Sequence, residues 1–292
     1  MNGIITPMIT PFKEEKIDKM AIDRLLSYLE NMGVMGVFPA STAGCFPLLS
    51  FPQHTELLEL VSRRSKMKVF AGISRNCVDE TIAMGKKAID MGIEFVVVVT
   101  PYYIKLDQES LYEYYSTIAS RIDANIIAYN IPQFTGVNLE PDTLSRLMDQ
   151  YSSIKGVKDS SGDIRQFYRY IRELPKESLI YQGQDDLLLP SLYMGCTGGV
   201  CGTTNITGLA QHLFEDFLER KKEVTQIHQS ITKLMDLLSE EPFPKILNYL
   251  FQRFILKKKK PEGYMVPPIT DLSTNFYSLE SRFNKIIKRS TD

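Results

Sequence analysis

The chain has 292 residues, of which 43% are hydrophobic and 24% are charged, and its formal net charge is -1. This composition is typical of a globular protein. The near-zero charge excludes the strong basic field with which many proteins attract nucleic acid, so we expect a small-molecule partner and no nucleic acid.

Segments with strand propensity alternate along the chain with amphipathic segments of helical periodicity. The first helical segment, Ala21–Met32, places Ile22, Leu25, Leu26 and Leu29 on one face. Glu80–Met91 and Leu111–Ile122 show the same pattern. Eight strands are predicted, at Ile4–Met8, Val34–Pro39, Lys68–Ile73, Glu94–Val99, Ile126–Tyr129, Gly156–Lys158, Leu179–Gln182 and Gly199–Gly202.

This alternation predicts a parallel sheet, and eight units in succession indicate a (β/α)8 TIM barrel. A doubly wound sheet is the alternative, but no Gly-x-Gly-x-x-Gly follows the first strand. We therefore predict a barrel over residues 1–208, with residues 209–292 forming C-terminal helices packed on it in a single domain. In that extension, Leu209–Leu238 and Lys245–Leu256 are predicted helices separated by Pro242 and Pro244. The lysine run Lys257–Lys260 favours a solvated helix end over a phosphate or nucleic-acid site.

Cysteines and apolar stretches give expectations about the compartment. The four cysteines have neither zinc-site nor secretory spacing, so we expect buried free thiols and no metal. The N-terminal sequence lacks the features of a signal peptide, and the longest apolar stretch is too short to cross a bilayer. We therefore predict a cytoplasmic protein without a membrane partner. The cysteines are Cys45, Cys77, Cys196 and Cys201.

In a TIM barrel the active residues lie at the C-terminal ends of the strands. After the second predicted strand comes the turn Ser41–Gly44, whose backbone N–H groups are suited to an anion, although a plain turn is equally consistent. The fourth strand ends in Thr100–Tyr103 and the fifth in Tyr129–Pro132. Tyrosines at these places are either core residues or proton relays.

The sixth predicted strand ends in a lysine, Lys158, within Gly156–Asp163. Lysine is rarely buried, because moving an ammonium group out of water is unfavourable unless the group is paired or neutral. At a barrel mouth, desolvation would favour a neutral amine able to attack a ketone. The alternative is a lysine that ends the strand and pairs with a carboxylate such as Asp159.

These motifs resemble the N-acetylneuraminate lyase and dihydrodipicolinate synthase family of class I pyruvate-dependent aldolases. The resemblance covers nearly the whole chain and is most specific in four blocks. It also includes the opening and the segment near the end of the chain. The specific blocks are Gly156–Asp163, Thr100–Tyr103, Tyr129–Pro132 and Thr135-Gly136, and the outer segments are Ile5–Pro7, Thr10–Phe12 and Val266–Pro268.

The resemblance implies roles for the matching residues. Lys158 would form the Schiff base, and Tyr129 would move protons and contact the substrate carboxylate. Tyr103 matches a tyrosine that in many members crosses a dimer interface. Members of the family are commonly tetrameric, which implies a homotetramer built as a dimer of dimers. Substrate binding is implied or expected for Ser41, Thr42, Ala43, Tyr103, Ser160, Gly183, Asp185 and Gly202.

Departures from the family pattern narrow the expected activity. Ala43 replaces a threonine of the family's turn, which alters the standard proton relay. Phe134 stands where dihydrodipicolinate synthases carry an arginine for the second substrate's carboxylate, and an apolar ring cannot make that bidentate contact. Gly202 stands where sialic acid lyases place a serine. Leu106 falls at a position that is basic in relatives that accept phosphorylated substrate, with Lys105 adjacent, so we expect an unphosphorylated substrate.

The chain is most similar to the 2-keto-3-deoxygluconate aldolases, and this resemblance implies reversible cleavage of the sugar acid to pyruvate and glyceraldehyde. No metal or organic cofactor is expected, because the iminium serves as the electron sink. N-acetylneuraminate lyase and dihydrodipicolinate synthase activities are the alternatives within the family. A ligand-binding or regulatory barrel without catalysis is the alternative of another class, which the presence of Lys158 and Tyr129 disfavours.

Overall fold

The computed structural model describes residues 1–259, 261, 266, 268–270 and 276–288. Lys260 of the lysine run and Pro267 of the Val266–Pro268 segment lie outside the described residues. Ten strands are formed, at Gly3–Pro7 (β1), Phe12–Lys13 (β2), Lys16–Ile17 (β3), Gly36–Phe38 (β4), Lys68–Gly72 (β5), Phe95–Val99 (β6), Asn125–Asn130 (β7), Ile154–Asp159 (β8), Leu179–Gln182 (β9) and Gly198–Val200 (β10).

The helices follow the strands in alternation. They are Lys19–Met32 (α1), Phe51–Arg64 (α2), Val78–Asp90 (α3), Gln108–Ala119 (α4), Pro132–Thr135 (α5), Pro141–Gln150 (α6), Ile164–Glu173 (α7), Leu188–Met194 (α8), Leu209–Leu218 (α9), Val224–Leu238 (α10), Lys245–Leu250 (α11) and Phe276–Lys288 (α12). Three 3₁₀ turns, Phe46–Leu48, Asp185–Leu187 and Gly202–Asn205, and one π-helical turn, Phe251–Ile255, complete the described elements.

The eight longer strands form a closed barrel in the order β1-β10-β9-β8-β7-β6-β5-β4. The TIM-barrel prediction is therefore confirmed, and each of the eight predicted strands overlaps an observed one. The short strands β2 and β3 form a separate antiparallel hairpin that the sequence did not predict.

Residues 1–2 and 69–200 form one compact unit, which contains strands β6–β10 and most of β5. Pairs β5–β6, β6–β7, β7–β8, β8–β9 and β9–β10 are all parallel. The run Phe95–Val99 is apolar because a parallel strand is covered on both faces. On its helical side, the buried Tyr114 and Tyr115 hydroxyls donate to the Val99 and Val98 carbonyls. Helices therefore attach to this sheet through hydrogen bonds as well as apolar contact.

Two helix starts in this unit, those of α4 and α7, are set by side-chain caps. Asp107 accepts a hydrogen bond from the Ser110 N–H at the start of α4, and Asp163 accepts from Arg165 and Gln166 at the start of α7. Such caps satisfy N–H groups that have no partner within the helix. The cap at Asp163 places the first turn of α7 directly after the loop that leaves β8.

Residues 3–68 and 201–292 form the second compact unit, as far as they are described. Here β1 pairs in parallel with β4. The Asn205 side chain donates to the Pro7 carbonyl and accepts from the Ile9 N–H, which ties the 3₁₀ turn Gly202–Asn205 to the end of β1. A capping box between Ser50 and Gln53 begins α2.

Several predictions about the C-terminal extension and the thiols were wrong in detail. Leu209–Leu238 is two helices, because the chain between α9 and α10 takes a left-handed conformation at Arg220 (φ 57°) that a helix does not accommodate. Lys245–Leu256 is α-helical only to Leu250 and continues as the π-helical turn. Cys77 is exposed, because it precedes α3 in a loop, whereas Cys45 and Cys201 are buried as expected.

The division into a barrel over residues 1–208 and C-terminal helices over residues 209–292 stays a prediction. Among the described residues, none of the helices combines the length and the apolar character needed to span a membrane.

Candidate active site

The site centres on two side chains at the C-terminal ends of neighbouring strands. Tyr129 on β7 and Lys158 on β8 are register partners, and both are buried. The Lys158 Nζ lies 3.8 Å from the centroid of the Tyr129 ring. A buried lysine amine covered by an aromatic ring is thus placed where TIM barrels hold their active groups.

The next register pair, Asn130 and Asp159, lies on the opposite face of the same two strands, because side chains alternate along a strand. Asn130 Nδ2 donates to Asp159 Oδ1 at 2.8 Å, and Ser161 Oγ donates to Asp159 Oδ2 at 2.7 Å. Both carboxylate oxygens of Asp159 therefore accept from neutral groups. Because Lys158 and Asp159 are consecutive residues of β8, their side chains point to opposite faces of the strand, which disfavours the alternative that the two form a pair.

Asn130 is itself held by residues beyond the strands. Its Oδ1 accepts from the Leu139 N–H, and its Nδ2 also donates to Asn138 Oδ1. Asn138 in turn exchanges hydrogen bonds with Gln166 in the first turn of α7. These partners belong to the helical layer, so Asn130 and Asp159 face outward and Tyr129 and Lys158 face the inside of the sheet.

Burial raises the pKa of the Asp159 carboxyl to about 6, against the opposing effect of the hydrogen bonds from Ser161 and Asn130. The negative charge of Asp163 adds to this upward shift of the pKa. A carboxyl group adjacent in sequence to Lys158 therefore titrates near the lower end of the physiological range.

The loop after β8 is fixed through the carbonyl of Ser160. Gln133 Nε2 donates to this oxygen at 2.7 Å and Gln184 Nε2 donates to it at 3.0 Å. Gln133 belongs to α5 after β7, and Gln184 follows β9. Ser160, a predicted substrate-binding residue in the loop after β8, is thereby held by the segments that follow β7 and β9.

Gly183 is required to be small at its position after β9. A Cβ atom there would lie 2.0 Å from Ser160 Oγ and 3.0 Å from Lys158 Cε. Its N–H donates to the Asp159 carbonyl at 2.7 Å. The structure brings Gly183 together with Lys158 and Ser160, and its contacts are those of close backbone approach.

Asp185 is buried at the start of the 3₁₀ turn Asp185–Leu187 in the same unit. The N-cap residue of α8 is Leu187, so neither Asp185 nor Asp186 caps this helix. Tyr103 lies after β6 with 91% of its surface exposed and a left-handed backbone (φ 78°). Such a conformation is unfavourable for a bulky residue and is found mostly at functional positions.

In the second unit, the predicted anion turn follows β4. Ser41 Oγ donates to the Met8 carbonyl and accepts from the Gly44 N–H, and the Cys45 N–H donates to the Thr42 carbonyl. Ala40 and Cys45 flank the turn with left-handed φ values of 53° and 55°. Ser41 and Ala43 are buried, and Thr42 is half-buried. This backbone strain is consistent with a functional turn.

Gly202, the last predicted binding residue, begins the 3₁₀ turn Gly202–Asn205 of the same unit. A Cβ atom at Gly202 would meet no atom within 4 Å. The serine found there in sialic acid lyases would therefore fit sterically. Among the described residues, no group of three or more histidine, cysteine, aspartate or glutamate side chains is arranged to hold a metal ion.

Four polar residues of the site were missed from the sequence: Asn130, Asn138, Gln133 and Gln184. Asparagine and glutamine in loops usually read as turn or surface residues. One feature of the sequence could have indicated Asn130 and Asp159. Each directly follows a candidate catalytic residue, so both are expected on the face of the sheet opposite to Tyr129 and Lys158.

Comparison with known proteins shows the family to which the chain belongs. The sequence profile of the dihydrodipicolinate synthetase family matches residues 1–288. The 2-dehydro-3-deoxy-D-gluconate/2-dehydro-3-deoxy-phosphogluconate aldolase of Picrophilus torridus is 37% identical over 262 residues, covering 89% of this chain and 97% of the relative. The 4-hydroxy-tetrahydrodipicolinate synthase of Archaeoglobus fulgidus is 34% identical over 274 residues, covering 93% of each chain.

A solved structure of the 2-keto 3-deoxygluconate aldolase from Picrophilus torridus superposes with a TM-score of 0.89 at 36% identity, covering 94% of this chain and 99% of that one. The synthase from Methylacidiphilum fumariolicum SolV gives the same TM-score at 30% identity, covering 100% of this chain and 96% of that one. By the extent of these matches, the chain belongs to the dihydrodipicolinate synthetase family.

Proposed function

We propose that the protein is a Schiff-base aldolase that cleaves 2-keto-3-deoxygluconate, or a related 2-keto-3-deoxy sugar acid, reversibly to pyruvate and glyceraldehyde. The observation that carries this proposal is the buried Lys158 amine 3.8 Å from the Tyr129 ring, at the C-terminal ends of adjacent strands. The similarity to the Picrophilus torridus aldolase supports the choice of substrate.

In the proposed reaction, the Lys158 amine attacks the C2 ketone and water leaves, giving an iminium ion. Tyr129 then accepts the proton of the C4 hydroxyl as the C3–C4 bond breaks. The electron pair of that bond moves to the iminium and converts it into an enamine. Glyceraldehyde leaves, Tyr129 returns the proton to C3 of the enamine, and water hydrolyses the resulting iminium to release pyruvate and the free amine. No metal or organic cofactor takes part in these steps.

Substrate binding is proposed for the remaining residues of the expected site. The turn at Ser41, Thr42 and Ala43 would receive the carboxylate of the 2-keto acid, with backbone donors replacing the hydroxyl that Ala43 lacks. The hydroxyl groups of the sugar chain would be bound by Ser160 and Asp185. Gly183, whose Cβ would clash with Ser160 Oγ, and Gly202, whose Cβ would meet open space, would contribute through close backbone approach.

The decisive test is reductive trapping. The protein is incubated with pyruvate and sodium borohydride, and the peptide that contains Lys158 is examined by mass spectrometry. We expect a covalent adduct on that peptide in the wild-type protein and none in Lys158→Ala. Wild-type protein that forms no adduct, while circular dichroism shows it to be folded, would contradict the proposal and favour a non-catalytic ligand-binding barrel.

A second candidate is 4-hydroxy-tetrahydrodipicolinate synthase activity, favoured by relatives of that name at 34% identity. Phe134, with 57% of its surface exposed, lies at the position expected to carry an arginine, and its ring cannot bind a carboxylate. Adduct formation does not separate the two activities. Steady-state assays of sugar-acid cleavage and of the synthase reaction do, and we expect activity only in the first.

We further propose that the unphosphorylated sugar acid is preferred. Leu106, at the position that is basic in relatives accepting phosphate, is half-buried against a cavity after β6, and Asp107 and Glu109 lie on the same lining. Carboxylates repel a phosphate group. A comparison of kcat/KM for the two substrates tests this preference, and equal values would contradict it.

The assembly and location are proposed on family grounds. We propose a cytoplasmic homotetramer in which Tyr103 contacts a second copy of the chain. Its exposed ring and strained backbone support this contact, and a cavity of about 690 Å³ lies beside it. Sedimentation equilibrium should give a tetramer for the wild-type protein and smaller species for Tyr103→Ala. A monomeric wild-type protein would contradict the assembly but not the chemistry.

A further inference from the structure

The outward-facing pair Asn130–Asp159 lies directly behind the pair that carries the proposed chemistry. We propose that Asn130 and Asp159 are positioning residues that hold Tyr129 over Lys158, an inference that rests on the proposed Schiff-base function. Neither residue faces the inside of the sheet, so both act through the backbone of β7 and β8.

The register of β7 and β8 links the outer pair to the inner pair. Tyr129 pairs with Lys158 and Asn130 pairs with Asp159, so the two pairs are consecutive rungs of one parallel ladder. A slip of one residue would turn every side chain to the other face. The 2.8 Å hydrogen bond between the Asn130 and Asp159 side chains is made in this register, and it therefore fixes the inner pair as well.

The pairing of β7 with β8 contains a bulge, so the register beyond the bulge has to be fixed by further contacts. Ile126 pairs with Ile154, but the next residue, Ile127, pairs with Gly156, so Lys155 is an extra residue in β8. A bulge of this kind bends the strand and re-aims the side chains that follow it. Lys158 is three residues beyond Lys155, so its direction depends on how the ladder resumes after the bulge.

The backbone at the bulge has little tolerance for adjustment. Gly156 has a φ of 151°, and a Cβ atom there would lie 1.9 Å from the Leu179 carbonyl oxygen. Beyond it, the Ser160 N–H donates to the Asn130 carbonyl at 2.8 Å and the Gly183 N–H donates to the Asp159 carbonyl at 2.7 Å. The register after the bulge is thus closed by backbone and side-chain bonds at the level of Asn130 and Asp159.

The pair is also anchored to the helical layer, which a positioning device requires. Asp159 accepts from Ser161, whose hydroxyl accepts from the Asp163 N–H at the cap of α7. Asn130 is held by Leu139 and Asn138 on the other side. A buried polar network in which every member is paired rigidifies the elements it joins.

The test measures the chemistry rather than stability. We would follow the rate of borohydride-trapped adduct formation against pyruvate concentration for wild-type, Asp159→Ala, Asp159→Asn and Thr197→Val proteins. Thr197→Val is the matched structural control, because Thr197 Oγ1 accepts a hydrogen bond from the Ile180 N–H at the opposite, N-terminal end of β9. Each variant is assayed at a temperature at which circular dichroism shows it folded.

We expect Asp159→Ala to lower the saturating rate of adduct formation by roughly tenfold to 100-fold, because a small misplacement of reacting groups has an effect of that size. Asp159→Asn keeps an oxygen for the Asn130 amide, and we expect it to restore the rate to within about threefold of wild type. Thr197→Val should leave the rate within about twofold, because its lost hydrogen bond joins β9 to the residues before β10 and leaves the β7–β8 ladder intact.

The outcomes separate the inference from the proposed function. A wild-type protein that forms no adduct defeats the proposed function. A wild-type protein that forms the adduct, with Asp159→Ala reacting as fast as Thr197→Val, defeats the inference alone. If Asp159→Ala does not fold, Asn130→Ala removes the same hydrogen bond from the other strand and is expected to show the same loss of saturating rate.

Discussion

The Lys158 amine and the Tyr129 ring are register partners on adjacent parallel strands, with the Nζ 3.8 Å from the ring centroid. The ring therefore does two separable things: it covers the amine, and it carries the hydroxyl proposed to move the proton. A substitution that keeps the ring and removes the hydroxyl distinguishes these effects.

For Tyr129→Phe, we expect pyruvate adduct formation to remain detectable while kcat for sugar-acid cleavage falls about 10²–10⁴-fold, the usual contribution of a general acid or base. Steady-state kinetics and borohydride trapping on the same preparation provide the measurement. Tyr129→Ala, which also uncovers the amine, is the comparison and should lose both activities. A kcat for Tyr129→Phe equal to that of wild type would exclude the phenol as the proton acceptor.

The raised pKa of Asp159 predicts a pH-dependent contribution to stability. Its pKa of about 6 in the folded protein lies above its ordinary value of 3.8, so the folded state binds the proton more tightly than the unfolded state. The free energy of unfolding contributed by this group therefore falls as pH rises from about 4 to about 6, by at most about 3 kcal/mol.

Asp159→Asn lacks this titration. We expect the difference in unfolding free energy, wild type minus Asp159→Asn, to become more negative between pH 4 and pH 7.5, as measured by urea unfolding at several pH values. Contributions of titrating groups that do not interact with Asp159 cancel in this difference. A difference that stays constant over the range would show that the Asp159 carboxyl is not perturbed.

Gly183 is expected to tolerate no side chain. Gly183→Ala places a methyl group against Ser160 Oγ and Lys158 Cε, and we expect a loss of about 1–3 kcal/mol in unfolding free energy together with a slower trapping reaction. Gly202→Ala is the matched control, since its Cβ meets open space, and its stability should change by less than about 0.5 kcal/mol. Equal effects of the two substitutions on stability would contradict this packing argument.

The hairpin β2–β3 offers a stabilising change at residues that have no proposed part in the chemistry. Its two-residue turn, Glu14-Glu15, has φ values of 49° and 62°, which is the conformation of a type I′ turn normally made by Asn-Gly. Glu14→Asn combined with Glu15→Gly should raise the unfolding free energy by about 1 kcal/mol, because it removes left-handed strain. Urea unfolding of the wild-type protein and the double variant tests this. A destabilised double variant would show that the side chains of Glu14 and Glu15 matter more than their backbone.

The barrel was predictable from the sequence because each of its strands is bounded by an amphipathic helix of recognisable period. The apolar run Phe95–Val99 and the face of Ile22, Leu25 and Leu29 are examples. The hairpin was missed because its strands have two residues each and its turn lacks glycine. Periodicity needs more residues than that to register.

The chemistry-bearing positions were predictable in part. Lysine at the end of a short apolar strand is unusual in any soluble protein, so Lys158 is conspicuous. Asn130 and Gln133 carry no such signal, because amide side chains become informative only when their partners are known. Those partners, Asp159 and Ser160, are contributed by a strand and a loop about 30 residues further along the chain, a pairing that local pattern does not reveal.

The carbonyl of Ser160, which accepts from both Gln133 and Gln184, bears on the thermodynamics of ligand capture. Three consecutive loops that share one acceptor have already given up much of their conformational entropy before any sugar acid arrives. Ordering loops during association lowers affinity, because their conformational entropy is lost on binding. In this protein the hydrogen bonds to the Ser160 carbonyl order the loops on folding instead. The loops are therefore ordered before the proposed substrate binds, and loss of the hydrogen bonds to this oxygen would weaken substrate binding without removing a proposed substrate-binding side chain.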